Sequence, residues 1–336
     1  MSGPDHTDTP SGSYVALCGG VGGAKLAYGL AQVLSPGRLT IVVNTGDDFE
    51  HLGLHISPDI DTVIYTLSGL ANPETGWGRA GETWTFMRVL SDLGEPDWFQ
   101  LGDGDLAMHV ARTHRLRAGE SLSEVCAHVC QRLGIDHAVV PMSDDPVRTM
   151  VSTDEGRLAF QDYFVRRKSG PAVSEITFEG AHVAQPAPGV LAALAHDDLA
   201  GIIVCPSNPY LSVDPLLAIP GLRAALEARR VPLVAVSPIV GGAAIKGPTA
   251  KIMRELGVAP SVGSVAEHYG ALLDGMVADD ADAQALKDAP LAVPTWTTGS
   301  VMTSERDRIE LARFVIGCCH QLARAANADR HAGGAV

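Results

Sequence analysis

Five short apolar runs, YVALC, LTIVV, AVVPM, GIIVC and VPLVAV, alternate with stretches whose apolar residues recur at helical spacing, such as KLAYGLAQVL, SLSEVCAHVCQRLG and PGLRAALEARR. A run of four to six apolar residues suits a strand buried on both faces. Its alternation with helices marks an α/β protein, Rossmann-like, with a largely parallel sheet flanked by helices. In such a sheet ligands lie beyond the carboxyl ends of the strands. Nearly every polar cluster of this chain follows directly on one of these runs, so the fold class alone predicts that the clusters converge.

Residues 151–190 break the pattern. GRLAFQDYFVRRKS and AVSEITFEGAHVAQ read as short amphipathic strands, which predicts a small α+β insertion within a single domain spanning 13–330. The start, MSGPDHTDTPSGS, lacks a basic-then-apolar signal pattern, and residues 1–12 read as a disordered tail. Near the other end, SERDRIELARFVIGCCHQLARAA has helical spacing, with Ser304 as N-cap and Asp307 three residues on. The longest apolar runs fall short of the roughly 20 residues a membrane span needs, so a cytoplasmic protein is expected. With 39 Asp and Glu against 25 Lys and Arg, and a net charge of −14, the chain has no broad cationic surface for nucleic acid. Its six cysteines make no zinc pattern and read as buried free thiols.

YVALCGGVGGAKLAYGL is a strand, a glycine-rich turn and a helix. Such a turn lets a ligand approach the backbone and offers the unpaired N–H groups of a helix start to a phosphate or carboxylate. Gly20, Gly22, Gly23 and Lys25 are the candidates. The turn is not a Walker A loop, because Ala24 stands at the second glycine and Leu26 at the magnesium-binding Ser or Thr. Nor is it a dinucleotide fingerprint: Lys25 occupies the third glycine position, and Asn44 rather than an acid follows the second strand, which disfavours a dehydrogenase. A ligand-free strand-to-helix turn is the plainer alternative, with Lys25 simply solvated.

The segment NTGDDFEHLGLHISPDIDTV carries Asp47, Asp48, Asp59 and Asp61. Clustered carboxylates repel unless a cation or proton relieves them. Mg2+ is the natural candidate, being hard, oxygen-seeking and commonly shared between carboxylates and substrate phosphates. Asp59 and Asp61, two residues apart, share a face if the chain is extended there. The alternative is that these are turn residues and helix caps. Three more loops follow strands: PMSDDPVRTM with Ser143, Asp144, Asp145 and Arg148; CPSNPYLSVDP with Ser207, Asn208 and Ser212; and SPIVGGAAIKGPTAK with Lys246, Lys251 and Thr249. Together the loops predict an enzyme that handles a phosphorylated nucleotide.

GGVGGAKL, NTGDD, SPDIDTVIYTL, GWGRAGETWTF, WFQLGDGDLAMH, PMSDDPVRT, FQDYFV, PSNPYLSVDPLLAIPGLR and SPIVGGAAIKGP occur in this order, and the chain from about residue 14 to about 325 resembles the 2-phospho-L-lactate transferase family of coenzyme F(420) biosynthesis. The resemblance implies transfer of a phospho-acid moiety (2-phospho-L-lactate, phosphoenolpyruvate or 3-phosphoglycerate) from a guanosine diphosphate-linked donor to the ribityl hydroxyl of the deazaflavin Fo. It further implies release of GMP, a requirement for Mg2+ and a homodimer. By position in the motifs, Asp47, with Asp48, holds the metal, and Asp47 and Asp61 are the catalytic candidates. Asp59 or Asp61 binds Fo or accepts its proton, and Asp103 and His109 of LGDGDLAMH lie on the Fo side. Asn44, Ser143, Asp144 and Asp145 carry over as substrate-binding. Ser207, Asn208 and Pro209, with Ser237 and Gly241, surround the guanine and phosphates. Trp77 and Trp84 either stack on the deazaflavin or sit in the core. The family usually has GDRD where this chain has Gly104, which leaves Arg112 or Arg79 to replace the arginine. A nucleotide-diphosphate-binding regulatory protein of related fold is the alternative, and the motifs leave the identity of the transferred acid open.

Overall fold

A computed structural model of the chain describes residues 11–333; the first ten residues of the expected tail lie outside it. Strand β1 (Ser13–Cys18) leads through Gly19 into α1 (Gly20–Val33) and returns as β2 (Leu39–Val43). The hairpin β3 (Phe49–His51) and β4 (Leu54–Ile56) follows, then α2 (Pro58–Leu67), α3 (Thr85–Asp92), α4 (Asp103–Arg117), α5 (Leu122–Arg132) and β5 (Ala138–Pro141). A second sheet comes next, formed by β6 (Arg148–Thr153), β7 (Gly156–Ala159) and β8 (Val173–Glu179). The chain then runs through α6 (Pro188–Leu194), β9 (Leu199–Val204), α7 (Asp214–Leu217), α8 (Pro220–Glu227) and β10 (Leu233–Val236). After the small hairpin β11 (Ile239–Val240) and β12 (Ala243–Ala244) come α9 (Thr249–Glu255), α10 (Val262–Tyr269), β13 (Gly275–Asp279), α11 (Ala283–Asp288), β14 (Thr295–Thr298) and α12 (Glu305–Gly333).

The main sheet has seven strands in the order β14-β13-β10-β9-β1-β2-β5, every pair parallel. This is the α/β class that the alternation of runs predicts, and all five apolar runs lie in it. Side chains alternate between two cores, as a doubly covered sheet requires. From β1, Tyr14, Ala16 and Cys18 join Leu26 and Leu30 of α1, Ile60 and Ile64 of α2 and Val315 of α12. Val15 and Leu17 join Val190 of α6, Leu222 of α8, Met253 of α9 and Val265 of α10 on the other face. Helix α12 sits tightly on α1: a Cβ on Gly29 would fall 2.0 Å from the Arg308 carbonyl oxygen. Its start is held as expected, with Asp307 N–H donating to Ser304 Oγ and Ser304 N–H to the Asp307 carboxylate. All six cysteines are free and buried. No helix among the described residues is long and apolar enough to cross a membrane.

Strands β1 and β9 are neighbours, and the chain leaves β1 toward β2 and β9 toward β10, that is, toward opposite edges of the sheet. The loops after β1 and β9 therefore diverge around a crevice at the carboxyl ends, the place where open α/β sheets bind ligands. The inserted sheet is antiparallel, in the order β7-β6-β8, and runs from Arg148 to Glu179, a narrower span than the 151–190 suggested by periodicity. Beyond it Ala181, Ala184 and Ala187 are buried in the main core. Its own apolar residues, Val151, Phe160, Tyr163 and Val173, pack on Leu211 and Ile252 of the main body.

Candidate active site

The glycine turn and the polar loop after β9 are stitched together across the crevice. Ser207 Oγ donates to the Gly19 carbonyl at 2.8 Å and accepts from Gly19 N–H at 3.2 Å. The approach demands glycine at position 22, where a Cβ would lie 2.4 Å from the Pro206 carbonyl oxygen. Asn208 turns inward as a cap, its Oδ1 accepting from Tyr210 and Leu211 N–H, while Pro209 opens the turn that follows. Gly20, at φ +65°, aims its N–H at Asp59 Oδ1, 2.8 Å away. The start of α1 thus already receives one carboxylate, the ligand type its unpaired N–H groups favour.

Three of the four aspartates gather beside this turn. Asn44 organises them: its Nδ2 donates to Asp59 Oδ2 at 3.0 Å and to the Leu211 carbonyl, and its Oδ1 accepts from Gly46 N–H. Burial pushes the Asp59 carboxyl up to about 6, against the opposing pull of the Asn44 and Gly20 hydrogen bonds. Asp47 is raised further from the ordinary carboxylate range, by burial first and then by the neighbouring Asp59 charge. Asp48 Oδ2 accepts from Ser57 Oγ at 2.7 Å and meets His55 Nε2 at 3.2 Å. Yet Oδ1 of Asp47, Oδ1 of Asp48 and the hydroxyls of Thr45 and Thr149 are buried without a hydrogen-bond partner. Buried oxygens left unpaired among repelling carboxylates fit a hard divalent cation such as Mg2+.

Asp61 goes elsewhere. It shares a face with Asp59 only in an extended chain, and both lie in the first turn of α2, where residues two apart point about 200° away from each other. Arg112 of α4 grips both Asp61 oxygens and also reaches the His55 carbonyl. His109 stands between the Asp61 and Asp105 carboxylates, 3.7 and 3.1 Å away, and Tyr65 donates its hydroxyl to Asp105. Asp61, Asp105 and His109 present ligand atoms within 4.8 Å of one another, a spacing that suits a metal. The buried guanidinium of Arg112 already supplies the cation there, so the four unpaired oxygens around Asp47 fit a metal better.

Asp103 caps α3, accepting from Thr83 Oγ1 and from Thr85 and Phe86 N–H. Gly104 leaves room that Arg79 fills: a Cβ there would lie 3.1 Å from an Arg79 guanidinium nitrogen. Of the two arginines considered at this motif, Arg79 is the one over Gly104, and Arg112 is bound to Asp61. Ser143 donates to the Gln185 carbonyl, Asp145 accepts from Gln185 N–H, and Asp144 caps α5 through Ser123. These three brace the loop after β5. Ser237 is hydrogen-bonded within its own turn to Ile239, and Gly241 N–H donates to the Asp282 carboxylate.

A basic rim borders the turn. Lys25 Nζ donates to the Met302 carbonyl at 2.6 Å and Lys246 Nζ to the Thr75 carbonyl at 3.0 Å. The Lys25 ammonium is pulled below its ordinary range by burial and by the nearby Arg308 and Lys246 charges. The 72–78 loop lies over the turn, since a Cβ on Gly76 would be 3.3 Å from Val21. Trp77 and Trp84 are about half exposed, 56% and 48%, so neither is a core aromatic. Sequence reasoning missed Thr45, Thr149, Gln161 and Asp105. Thr45 lies in the turn after β2 itself, and Thr149 and Gln161 bear on the site only because the insertion folds back over that turn.

A family profile described as 2-phospho-L-lactate transferase CofD matches residues 14–295. A phosphoenolpyruvate transferase of Kitasatospora aureofaciens is 43% identical over 311 residues, covering 89% of this chain and 96% of that one. Another from Streptomyces coelicolor is 44% identical over 278 residues, 81% of this chain and 86% of that one. A 2-phospho-L-lactate transferase of Methanosarcina acetivorans is 38% identical over 304 residues, 90% of this chain and 98% of that one. Among solved structures, a UPF0052 family protein of Bacillus halodurans matches with a TM-score of 0.57 at 14% identity, covering 90% of this chain and 99% of that one. That likeness bears on the fold alone.

Proposed function

The chain belongs to the 2-phospho-L-lactate transferase family and is a transferase of coenzyme F(420) biosynthesis, and from that premise we propose that it moves a phosphoenolpyruvate moiety from a guanosine diphosphate-linked donor to Fo. The choice of acid follows the relatives: those named phosphoenolpyruvate transferase reach 44% identity, those named 2-phospho-L-lactate transferase 38%. The Fo ribityl oxygen bonds to the phosphorus that carries the acid, and the bond from that phosphorus to GMP breaks. The hydroxyl proton leaves to a base.

The observation that carries this reading is the trio Asp47, Asp48 and Asp59, buried together where the loops after β1 and β9 meet, with one oxygen of Asp47 and one of Asp48 left unpaired. Phosphoryl transfer asks chiefly for positioning and charge neutralisation. Asp47 and Asp48 would hold Mg2+, which would supply neutralising charge at the donor diphosphate. The N–H groups of the glycine turn, with Lys25 and Lys246, bind the anionic donor. Asp59, at about 6, is poised to accept the Fo proton near neutral pH. Asp61, committed to Arg112, anchors α2 against α4 in this scheme. The exposed Trp77 and Trp84 offer faces for the deazaflavin. The cytoplasmic setting rests on the short apolar runs of the sequence, and the homodimer on the family resemblance.

Purified protein incubated with Fo, Mg2+ and each guanylyl donor tests the proposal, with products and GMP read by mass spectrometry. Dehydro-F(420)-0 as the main product is expected. F(420)-0 or the phosphoglycerate product in its place would correct the acid. No product and no GMP with any donor would overturn the assignment.

A further inference from the structure

The inserted sheet takes hold of the turn that carries Asp47. At the start of β6, Thr149 N–H donates to the Gly46 carbonyl at 2.8 Å, and beyond β7 the Gln161 Nε2 donates to the Asp47 carbonyl at 3.1 Å. Two successive carbonyls of the turn are therefore fixed by donors from the insertion. The Thr149 hydroxyl comes as close as the turn permits: a Cβ at Gly46 would lie 2.6 Å from it. Thr149 is 2% exposed, and its hydroxyl, like Asp47 Oδ1, has no hydrogen-bond partner. Valine has nearly the shape of threonine and would fill the position without burying an unpaired hydroxyl.

We propose that Thr149 is a positioning residue for the metal: its hydroxyl, buried and unpaired against the Gly46–Asp47 turn, donates to the Asp47 carboxylate once a cation is bound and so sets the rotamer in which Oδ1 faces that cation. This rests on the reading of Asp47 as a metal ligand. The inserted sheet is then part of the reaction centre, supplying the outer partner that metal-binding carboxylates commonly require.

Mn2+ alone is the probe, titrated by electron paramagnetic resonance into wild type, Thr149→Val, Thr149→Ser and Asp47→Asn, with metal-free melting temperatures recorded in parallel. Thr149→Val is expected to weaken Mn2+ binding about tenfold or more without lowering the metal-free melting temperature. Thr149→Ser, which keeps the hydroxyl, is expected to stay within about twofold of wild type. Wild-type Mn2+ affinity in Thr149→Val overturns the proposal and leaves Asp47 a ligand, as does equal weakening in the Val and Ser variants. Undiminished binding by Asp47→Asn, or none by wild type, overturns the metal reading and this proposal with it.

Discussion

Asp59 ties the stability of the metal-free protein to pH in a direction opposite to most carboxylates. Its pKa rises from the ordinary 3.8 to about 6, chiefly through burial. The folded protein therefore holds this proton more tightly than the unfolded chain does. The resulting stabilisation is full below about pH 4 and is lost as pH rises through about 6. At 1.36 kcal/mol per pH unit the loss amounts to about 3 kcal/mol. For a chain of this size that is worth roughly 4 °C of melting temperature. Other carboxylates titrate in the same range, so the informative quantity is the difference between wild type and Asp59→Asn, measured by metal-free thermal denaturation from about pH 4 to about pH 7.5. The asparagine amide can accept from only one of its two donors, Gly20 N–H or the Asn44 amide, which shifts the variant by a pH-independent amount. The wild type should lose about 3 kcal/mol relative to the variant across that window. Mg2+ should raise the wild-type melting temperature more at the alkaline end, where no proton competes for the trio. A flat difference curve would refute the buried-carboxylate reasoning.

Asp47→Asn should reduce Mg2+-dependent turnover by at least about 100-fold, while the metal-free melting temperature holds or rises because a buried, repelled charge is gone; a fall would contradict the crowding argument. Arg112→Ala should cost about 3–5 kcal/mol in urea unfolding by leaving the buried Asp61 unpaired. The double variant Asp61→Asn/Arg112→Met should recover most of that loss. Gly22→Ala should cost about 1–3 kcal/mol and raise the donor KM, because its Cβ displaces the Pro206 carbonyl and with it the loop after β9.

The parallel sheet was readable where a strand buried on both faces is an unbroken apolar run. LTIVV and GIIVC are continuous apolar runs because both cores demand apolar side chains from them. β13 and β14 escaped notice because GMVAD, though buried throughout, closes on an aspartate, and TWTT is an edge strand whose threonines remain partly exposed. The glycine turn was legible as an anion cradle, but its need for glycine at position 22 arises from Pro206, a residue 184 positions away.

The sequence by itself determined the fold class, the family and the presence of four carboxylates that needed a counter-charge. Only the tertiary structure decided which carboxylates share one. Helical geometry in α2 turns Asp59 toward Asn44 and the glycine turn and Asp61 toward Arg112, and the inserted sheet brings Thr149 and Gln161 onto the turn that carries Asp47. Local periodicity records which side of an element a residue occupies. It carries no record of what a segment a hundred residues later places against that side, and there the charges of this site are balanced.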